Sequence, residues 1–105
     1  MKREGIANID LPEPWIKVSP LEINFEAELK KELGIGHPLF GRTVRAIARR
    51  ADNDDVLFEV SGCLRPFAVV HLTWSGKIDQ DPRWPATTTF SNLEKWRDDS
   101  VKAEE

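Results

Sequence analysis

The sequence of 105 residues has one cysteine, no tyrosine and no long uninterrupted apolar run. A single cysteine cannot form an internal disulfide, so the chain does not belong to the small disulfide-stapled proteins. No apolar run approaches the roughly 20 residues that a helix needs to cross a bilayer, so we expect no membrane partner. The first residues are not followed by an apolar segment, which indicates that no secretory signal is present. These absences favour a cytoplasmic protein.

An excess of positive charge is also absent. Fifteen Lys and Arg against 18 Asp and Glu give a net charge of −3 at pH 7. An acidic chain repels the phosphate backbone, so binding to nucleic acid is disfavoured. The middle of the chain is slightly basic, and a nucleic-acid-binding function would have to use its arginines, which are Arg42, Arg45, Arg49 and Arg50.

The composition, with 40% hydrophobic and 31% charged residues, is typical of one globular domain. Residues 1–18 include Pro12 and Pro14 and show no clear period, so they predict an extended N-terminal arm. Residues 19–105 then form a single domain.

Two capping boxes predict two helices. The first, at Ser19 and Glu22, predicts a helix over residues 20–33. Its apolar stripe consists of Leu21, Phe25, Leu29 and Leu33. The second box, at Ser91 and Glu94, predicts a helix that places Trp96 on its apolar face.

Alternating patterns predict strands over residues 43–49, 56–60 and 67–74. Residues 86–90 can add a short edge strand. The row predicted to face the first helix consists of Val44, Val56, Phe58, Val60, Val70 and Leu72, and Trp74 continues it. The fold class is therefore α+β, in two layers, with the order helix, three-stranded antiparallel meander, helix.

The opposite face of this sheet contains Arg45, Glu59 and His71. Hairpin pairing predicts that Arg45 lies opposite Glu59, and that Glu59 lies beside His71 or, after a two-residue shift, beside Val69. A carboxylate beside an imidazole can act as general acid and base, with an arginine to bind an anion. A small enzyme or ligand-binding domain using this face is therefore the alternative to a non-catalytic function, although a row of cross-strand ion pairs explains the same residues.

The residues predict no metal site and no cofactor. His37 and His71 lie far apart in the sequence, and Cys63 has no second cysteine near it. Residues 52–55 resemble the start of a calcium loop, but Leu57 stands where that loop needs glycine.

The best candidate binding residues are Arg83 and Trp84, which lie between Pro82 and Pro85. Arginine and tryptophan are the residue types that dominate binding hot spots, and the two prolines restrict the loop. The alternative is that Trp84 folds back over the edge of the sheet.

Three blocks of sequence, at residues 37–41, 70–76 and 81–85, resemble a group of small single-domain bacterial proteins of unknown function. The chain is also similar in size and acidity to immunity proteins of bacterial toxin systems. We therefore expect a non-catalytic protein that binds another protein, with an immunity-type inhibitor of a toxin as the specific form. Arg83, Trp84, Arg45, Glu59 and His71 are its predicted binding residues.

Overall fold

An antiparallel sheet of five strands forms the centre of the described chain. The computed structural model describes residues 11–18, 24–62, 64–74, 76–78 and 84–103. The elements, in chain order, are β1 (Trp15–Lys17), α1 (Phe25–Glu32), β2 (Val44–Arg50), β3 (Asp55–Val60), β4 (Phe67–His71), β5 (Thr87–Phe90) and α2 (Leu93–Ala103). Strands that follow one another in the chain are also neighbours in the sheet.

The predicted three-stranded, two-layer arrangement is wrong, because the sheet has two further strands and is covered on both faces. Strand β5 corresponds to the short edge strand that the sequence predicted as an addition over residues 86–90. Strand β1 is formed by the end of the predicted arm, and its three residues are too few to show a period. Strand β1 pairs with β2, so this part of the arm belongs to the sheet.

Each face of the sheet has its own apolar cluster. The first cluster joins the α1 stripe to the predicted row, and it contains Phe25, Leu29, Leu33, Leu39, Val56, Phe58, Val60, Ala68, Val70 and Leu72, with Val44 packed against them. The second contains Trp15, Ile47, Ala48, Leu57, Phe90 and Trp96. In this second cluster Trp15 and Trp96 meet edge to face, with ring centroids 5.3 Å apart. Helices α1 and α2 therefore pack on opposite faces.

Helix α1 is shorter than the predicted helix over residues 20–33. Asn24 precedes its first turn in an extended conformation, and the Asn24 side chain accepts a hydrogen bond from the Ala27 N–H at 3.0 Å. Asparagine is a preferred N-cap residue, so the helix begins at Phe25. The predicted capping box at Ser19 and Glu22 lies outside the described residues.

Helix α2 also begins with an asparagine cap. The Lys95 N–H donates to the Asn92 side chain at 2.8 Å, so the cap is one residue later than the predicted Ser91. Trp96 is buried, as predicted.

A bulge in β2 changes which residues face each helix. Arg45 lies opposite Glu59, as predicted. Ala46 lies opposite Phe58, but Ala48 lies opposite Leu57. The irregularity between Ala46 and Ala48 leaves one extra residue in β2, which reverses the alternation. Ile47 and Ala48 consequently both join the second cluster.

The predicted register between β3 and β4 is wrong. The structure places Glu59 opposite Phe67 and Asp55 opposite His71. The turn is tighter than predicted, because the Val60 N–H donates to the Pro66 carbonyl oxygen at 2.6 Å. Glu59 therefore lies beside neither His71 nor Val69.

Strand β4 ends at His71, three residues before the predicted end. Trp74 has a φ of +58° and is 38% exposed, so it does not continue the core-facing row.

The first cluster provides a test of the core. Phe58 is fully buried at the centre of β3, so Phe58→Ala should lower the free energy of unfolding by about 3–5 kcal/mol. The measurement is urea denaturation, with Leu64→Ala as the control, because Leu64 is 97% exposed. Equal, small losses for both variants would contradict this account of the core.

Candidate functional site

The three sequence blocks meet at one end of the sheet, where His37 joins two of them. His37 is buried, and its Nδ1 accepts a hydrogen bond from the Leu39 N–H at 3.0 Å. The ring proton is therefore on Nε2, which lies 3.0 Å from the Pro85 carbonyl oxygen and donates to it. Thr87 Oγ1 donates to the same oxygen at 2.9 Å. Through this carbonyl the loop after α1 is bonded to the loop before β5.

The third block joins through the backbone, because the His71 N–H donates to the Ala86 carbonyl oxygen at 2.9 Å. Trp74 follows His71 closely in the chain, and Trp84 precedes Ala86. Strands β4 and β5 are antiparallel neighbours, so both tryptophans emerge at the same end of this strand pair. We call Ile35, Trp74 and Trp84, together with the His37–Pro85 bond, the loop junction.

The loop junction exposes apolar surface. Trp84 is 45% exposed and Ile35 is 84% exposed. The ring of Trp74 meets Phe25 of α1 edge to face at 6.0 Å, so one side of it is packed and the other is accessible. Large apolar side chains displayed on fixed loops are typical of an interaction surface.

Two buried glutamates of α1 fix the loop that follows β4. Glu32 is 1% exposed, and its Oε1 and Oε2 accept the N–H groups of Thr73 and Trp74 at 2.9 and 2.8 Å. Glu28 Oε2 accepts the Gly76 N–H at 3.3 Å. The positive φ of Trp74 costs about 1–2 kcal/mol for a residue with a side chain. The hydrogen bonds to Glu32 stabilise the backbone in that conformation.

The two glutamates also interact with each other. Burial raises the pKa of Glu32, and the hydrogen bond with the Glu28 carboxyl raises it further, while the N–H groups of Thr73 and Trp74 oppose the shift. The folded protein therefore binds a proton at Glu32 more tightly than the unfolded chain does. That stabilisation is complete below the ordinary glutamate pKa and is lost as the pH rises through the raised pKa.

Among the predicted site residues, Trp84 lies at the loop junction and Arg83 lies outside the described residues. Arg45 and Glu59 form an ion pair with 2.7 Å between Nη2 and Oε1. His71 pairs with Asp55 instead, with 2.7 Å between Nδ1 and Oδ1. Glu59 and Asp55 lie near opposite ends of β3, so the structure does not bring Arg45, Glu59 and His71 together.

The arginines that a nucleic-acid-binding function would use are partly neutralised by neighbouring carboxylates. Arg50 binds both carboxylate oxygens of Asp52, at 2.8 and 2.9 Å. This contact lowers the pKa of Asp52. Because Arg45 is paired as well, the positive charge of this segment is shared with carboxylates.

The residues that the structure describes include no group of His, Cys, Asp or Glu placed to bind a metal ion. Within the same residues neither helix has the length and apolarity to cross a membrane. Cys63 is not among them.

Sequence reasoning missed His37, Glu28 and Glu32 as the residues that build the loop junction. Glu28 and Glu32 are four residues apart and flank the buried Leu29, so their place beside the apolar stripe of the helix was a usable signal. The bonds of these side chains to Pro85, Thr73 and Gly76 span more than 40 residues of the chain, and no local pattern indicates them.

Comparison with models of protein families, with curated proteins and with solved structures gave no match to this chain.

The His37 bonds can be tested by substitution. His37→Ala leaves the Leu39 N–H without its buried acceptor and removes one of the two donors to the Pro85 carbonyl oxygen, so it should cost about 1–3 kcal/mol of stability. The control is His71→Ala, which removes only an exposed ion pair and should cost about 1 kcal/mol or less. Urea denaturation of both variants is the measurement. If the two losses were the same, His37 would not have the structural role described.

The paired glutamates can be tested by pH. In Glu28→Gln an amide N–H donates to Glu32 permanently, and the amide oxygen can still accept from Gly76. As the pH rises from about 4.5 to 7.5, wild type should lose stability relative to this variant, because the raised pKa of Glu32 depends in part on its hydrogen bond with the Glu28 carboxyl. Urea titrations at the two pH values measure the difference, with Asp98→Asn as an exposed control that should follow wild type. Parallel behaviour of wild type and Glu28→Gln would show that Glu28 does not raise the pKa of Glu32.

Proposed function

We propose that this protein is a non-catalytic binding domain whose partner is another protein, and that the loop junction is its contact surface. The observation on which the proposal rests is the exposure of three large apolar side chains. The Trp74 N–H is bonded to the buried Glu32, Trp84 directly precedes Pro85, whose carbonyl is bonded to the buried His37, and Ile35 lies two residues before His37. A tryptophan contributes a large apolar contact area with few rotatable bonds, which is why it is frequent in binding hot spots.

The hydrogen bonds of the described loop residues support the same proposal. Association is opposed by the entropy lost when flexible segments become ordered. At the loop junction the backbone becomes ordered when the protein folds. His37 forms a hydrogen bond with Pro85, and Glu32 forms hydrogen bonds with Thr73 and Trp74. The apolar surface is therefore offered to a partner with a small further loss of entropy.

The enzyme alternative has less support. It needs a carboxylate beside His71 with an arginine near both, whereas Arg45 and Glu59 pair with each other and His71 pairs with Asp55. Paired, partly exposed side chains of this kind are common on solvated sheets and contribute little to stability.

The finer form of the proposal is a cytoplasmic inhibitor of the immunity type, which neutralises a toxin by covering it. Its support is the length of 105 residues, the net charge of −3 and the resemblance to small bacterial proteins. A toxin gene beside the gene for this protein would favour this form, and a partner without toxic activity would contradict it.

The binding proposal is tested with Trp84→Ala. Wild-type protein immobilised as bait should recover one protein from lysate of the source organism, and the Kd for that protein is then measured by calorimetry. Trp84→Ala should weaken binding by about 2 kcal/mol or more, which is roughly thirtyfold in Kd.

The matched control is Leu64→Ala. Leu64 lies in the turn before β4, at the opposite end of that strand from Ala86, and its loss should leave Kd unchanged. If Trp84→Ala lowered the melting temperature and left Kd unchanged, Trp84 would be a structural residue and the loop junction would not be the contact surface.

A further inference from the structure

The loop that follows β4 is attached to α1 by backbone N–H groups that donate to carboxyl oxygens. Thr73 and Trp74 donate to the two oxygens of Glu32, and Gly76 donates to Glu28. Both glutamates are buried and are four residues apart on the helix, so their carboxyl groups lie side by side against the same short segment. These hydrogen bonds hold the loop on the helix.

The contacts of Trp74 itself bind the loop to α1 only in part. Its ring meets Phe25 edge to face at 6.0 Å, while the residue stays 38% exposed. Its φ of +58° is unfavourable for a residue with a side chain, and detachment of the loop would relieve that conformation. Detachment therefore loses the ring contact and the bonds to Glu32 but recovers a relaxed backbone. Segments with such a balance open locally without unfolding of the whole domain.

The protonation state of Glu32 affects the attached and the detached loop differently. In the attached form, an ionised Glu32 has lost its water and lies against the Glu28 carboxyl, and the raised pKa shows that these effects outweigh the N–H groups that it accepts. In the detached form, water reaches both carboxyl groups and the unfavourable effects disappear. A proton therefore binds the attached form more tightly, and a ligand shifts an equilibrium toward the form that it binds more tightly.

The other groups around Glu32 do not reverse this direction. The Thr73 hydroxyl and the N–H groups of Thr73 and Trp74 lower its pKa, but burial and the Glu28 carboxyl outweigh them. The neighbouring elements also contribute exposed charged side chains, which are Lys31 in α1, Lys77 in the loop and Asp54 in the turn whose carbonyl oxygen accepts the Leu72 N–H. Water and salt screen exposed charges of this kind, so their effect is small.

We propose that Glu28 and Glu32 form a pH-sensitive latch, which holds the Trp74 loop on α1 in mildly acidic solution and releases it as the pH rises. The attachment is complete below the ordinary glutamate pKa and weakens as the pH rises through the raised pKa of Glu32. Its consequence for binding rests on the proposed function, because Trp74 belongs to the loop junction. Release of the loop moves this ring away from its fixed position, so affinity for the partner should fall as the pH rises.

The test follows amide exchange with water in the full chain by NMR, from about pH 5 to about pH 8. The protection factors of the Thr73 and Trp74 N–H groups, corrected for the intrinsic pH dependence of exchange, should fall as the pH rises. The Val60 N–H, which is bonded to Pro66 at the other end of β4, is the internal reference and should lose less protection. The nuclear Overhauser effect between the rings of Phe25 and Trp74 should weaken over the same range.

Variants of the protein connect the release to the glutamates. Glu28→Gln keeps an amide donor beside Glu32 at every pH, and its amide oxygen can still accept the Gly76 N–H. The Trp74 N–H should therefore have the same protection at both ends of the pH range in this variant. Asp98→Asn, which removes an exposed carboxyl from α2, should lose protection as wild type does. The comparison with Val60 in wild type decides the inference even if Glu28→Gln does not fold.

Two exchange results would overturn the latch. One is an equal loss of protection at Trp74 and Val60, which would mean that pH acts on the whole fold and not on the loop. The other is a rise in the protection of Trp74 with pH, which would mean that ionised Glu32 holds the loop more firmly.

The proposed function is tested separately, by the Kd of wild type and of Glu28→Gln for the captured partner at the alkaline end of the range. Glu28→Gln should bind more tightly there, because its loop remains attached. Both proteins meet the same partner, so titration of the partner does not affect the comparison. Equal Kd values, together with the loss of protection in wild type, would remove Trp74 from the contact surface and leave the latch established.

Discussion

Val56, Leu57 and Phe58 follow one another in β3, and all three are apolar. Successive side chains of a strand point to opposite faces, so this run makes the centre of the sheet apolar on both sides. Each side has to be removed from water, and each requires its own covering helix. Helix α1 covers Val56 and Phe58, and α2 with its Trp96 covers Leu57.

The need to bury the second face of the sheet, around Leu57, also explains why β1 and β5 are present at the edges. Trp15 in β1 and Phe90 in β5 belong to the cluster around Leu57, on either side of the central strands. The bulge in β2 adds Ile47 and Ala48 to the same cluster. The outer strands and the bulge therefore complete a second core that β3 alone could not bury.

The predictable parts of this fold are those in which apolar residues recur at a short, regular spacing in the sequence. The four-residue spacing of Phe25, Leu29 and Leu33 gave the α1 stripe, and the alternation around Phe58 gave the row that it covers. The β2–β3 pairing up to Ala46 followed from the same alternation. From Ala46 onward the strand has alanine, isoleucine and alanine in succession, which fit a regular strand and a bulged one equally well.

The register of β4 and the loop junction depend on contacts that sequence patterns do not contain. The sequence after Val60 is compatible with a turn of six residues and with a longer one, and the choice follows from the bond between Val60 and Pro66. His37 reaches a partner 48 residues away. Trp84 was identified because two prolines flank its loop, but only the folded structure could distinguish a tryptophan packed over the sheet from an exposed one.

The loop junction shows how exposure and rigidity are related in this molecule. A flexible loop that contains a tryptophan lowers its free energy by folding the ring onto the nearest apolar surface. Burying polar groups such as His37, Glu28 and Glu32 is unfavourable unless each has hydrogen-bond partners, and their partners lie in or beside the loops with Trp74 and Trp84. Any collapse of these loops onto the core would break such bonds and leave buried polar atoms without partners. The desolvation energy of three buried side chains therefore opposes the collapse, and the tryptophans remain at the surface.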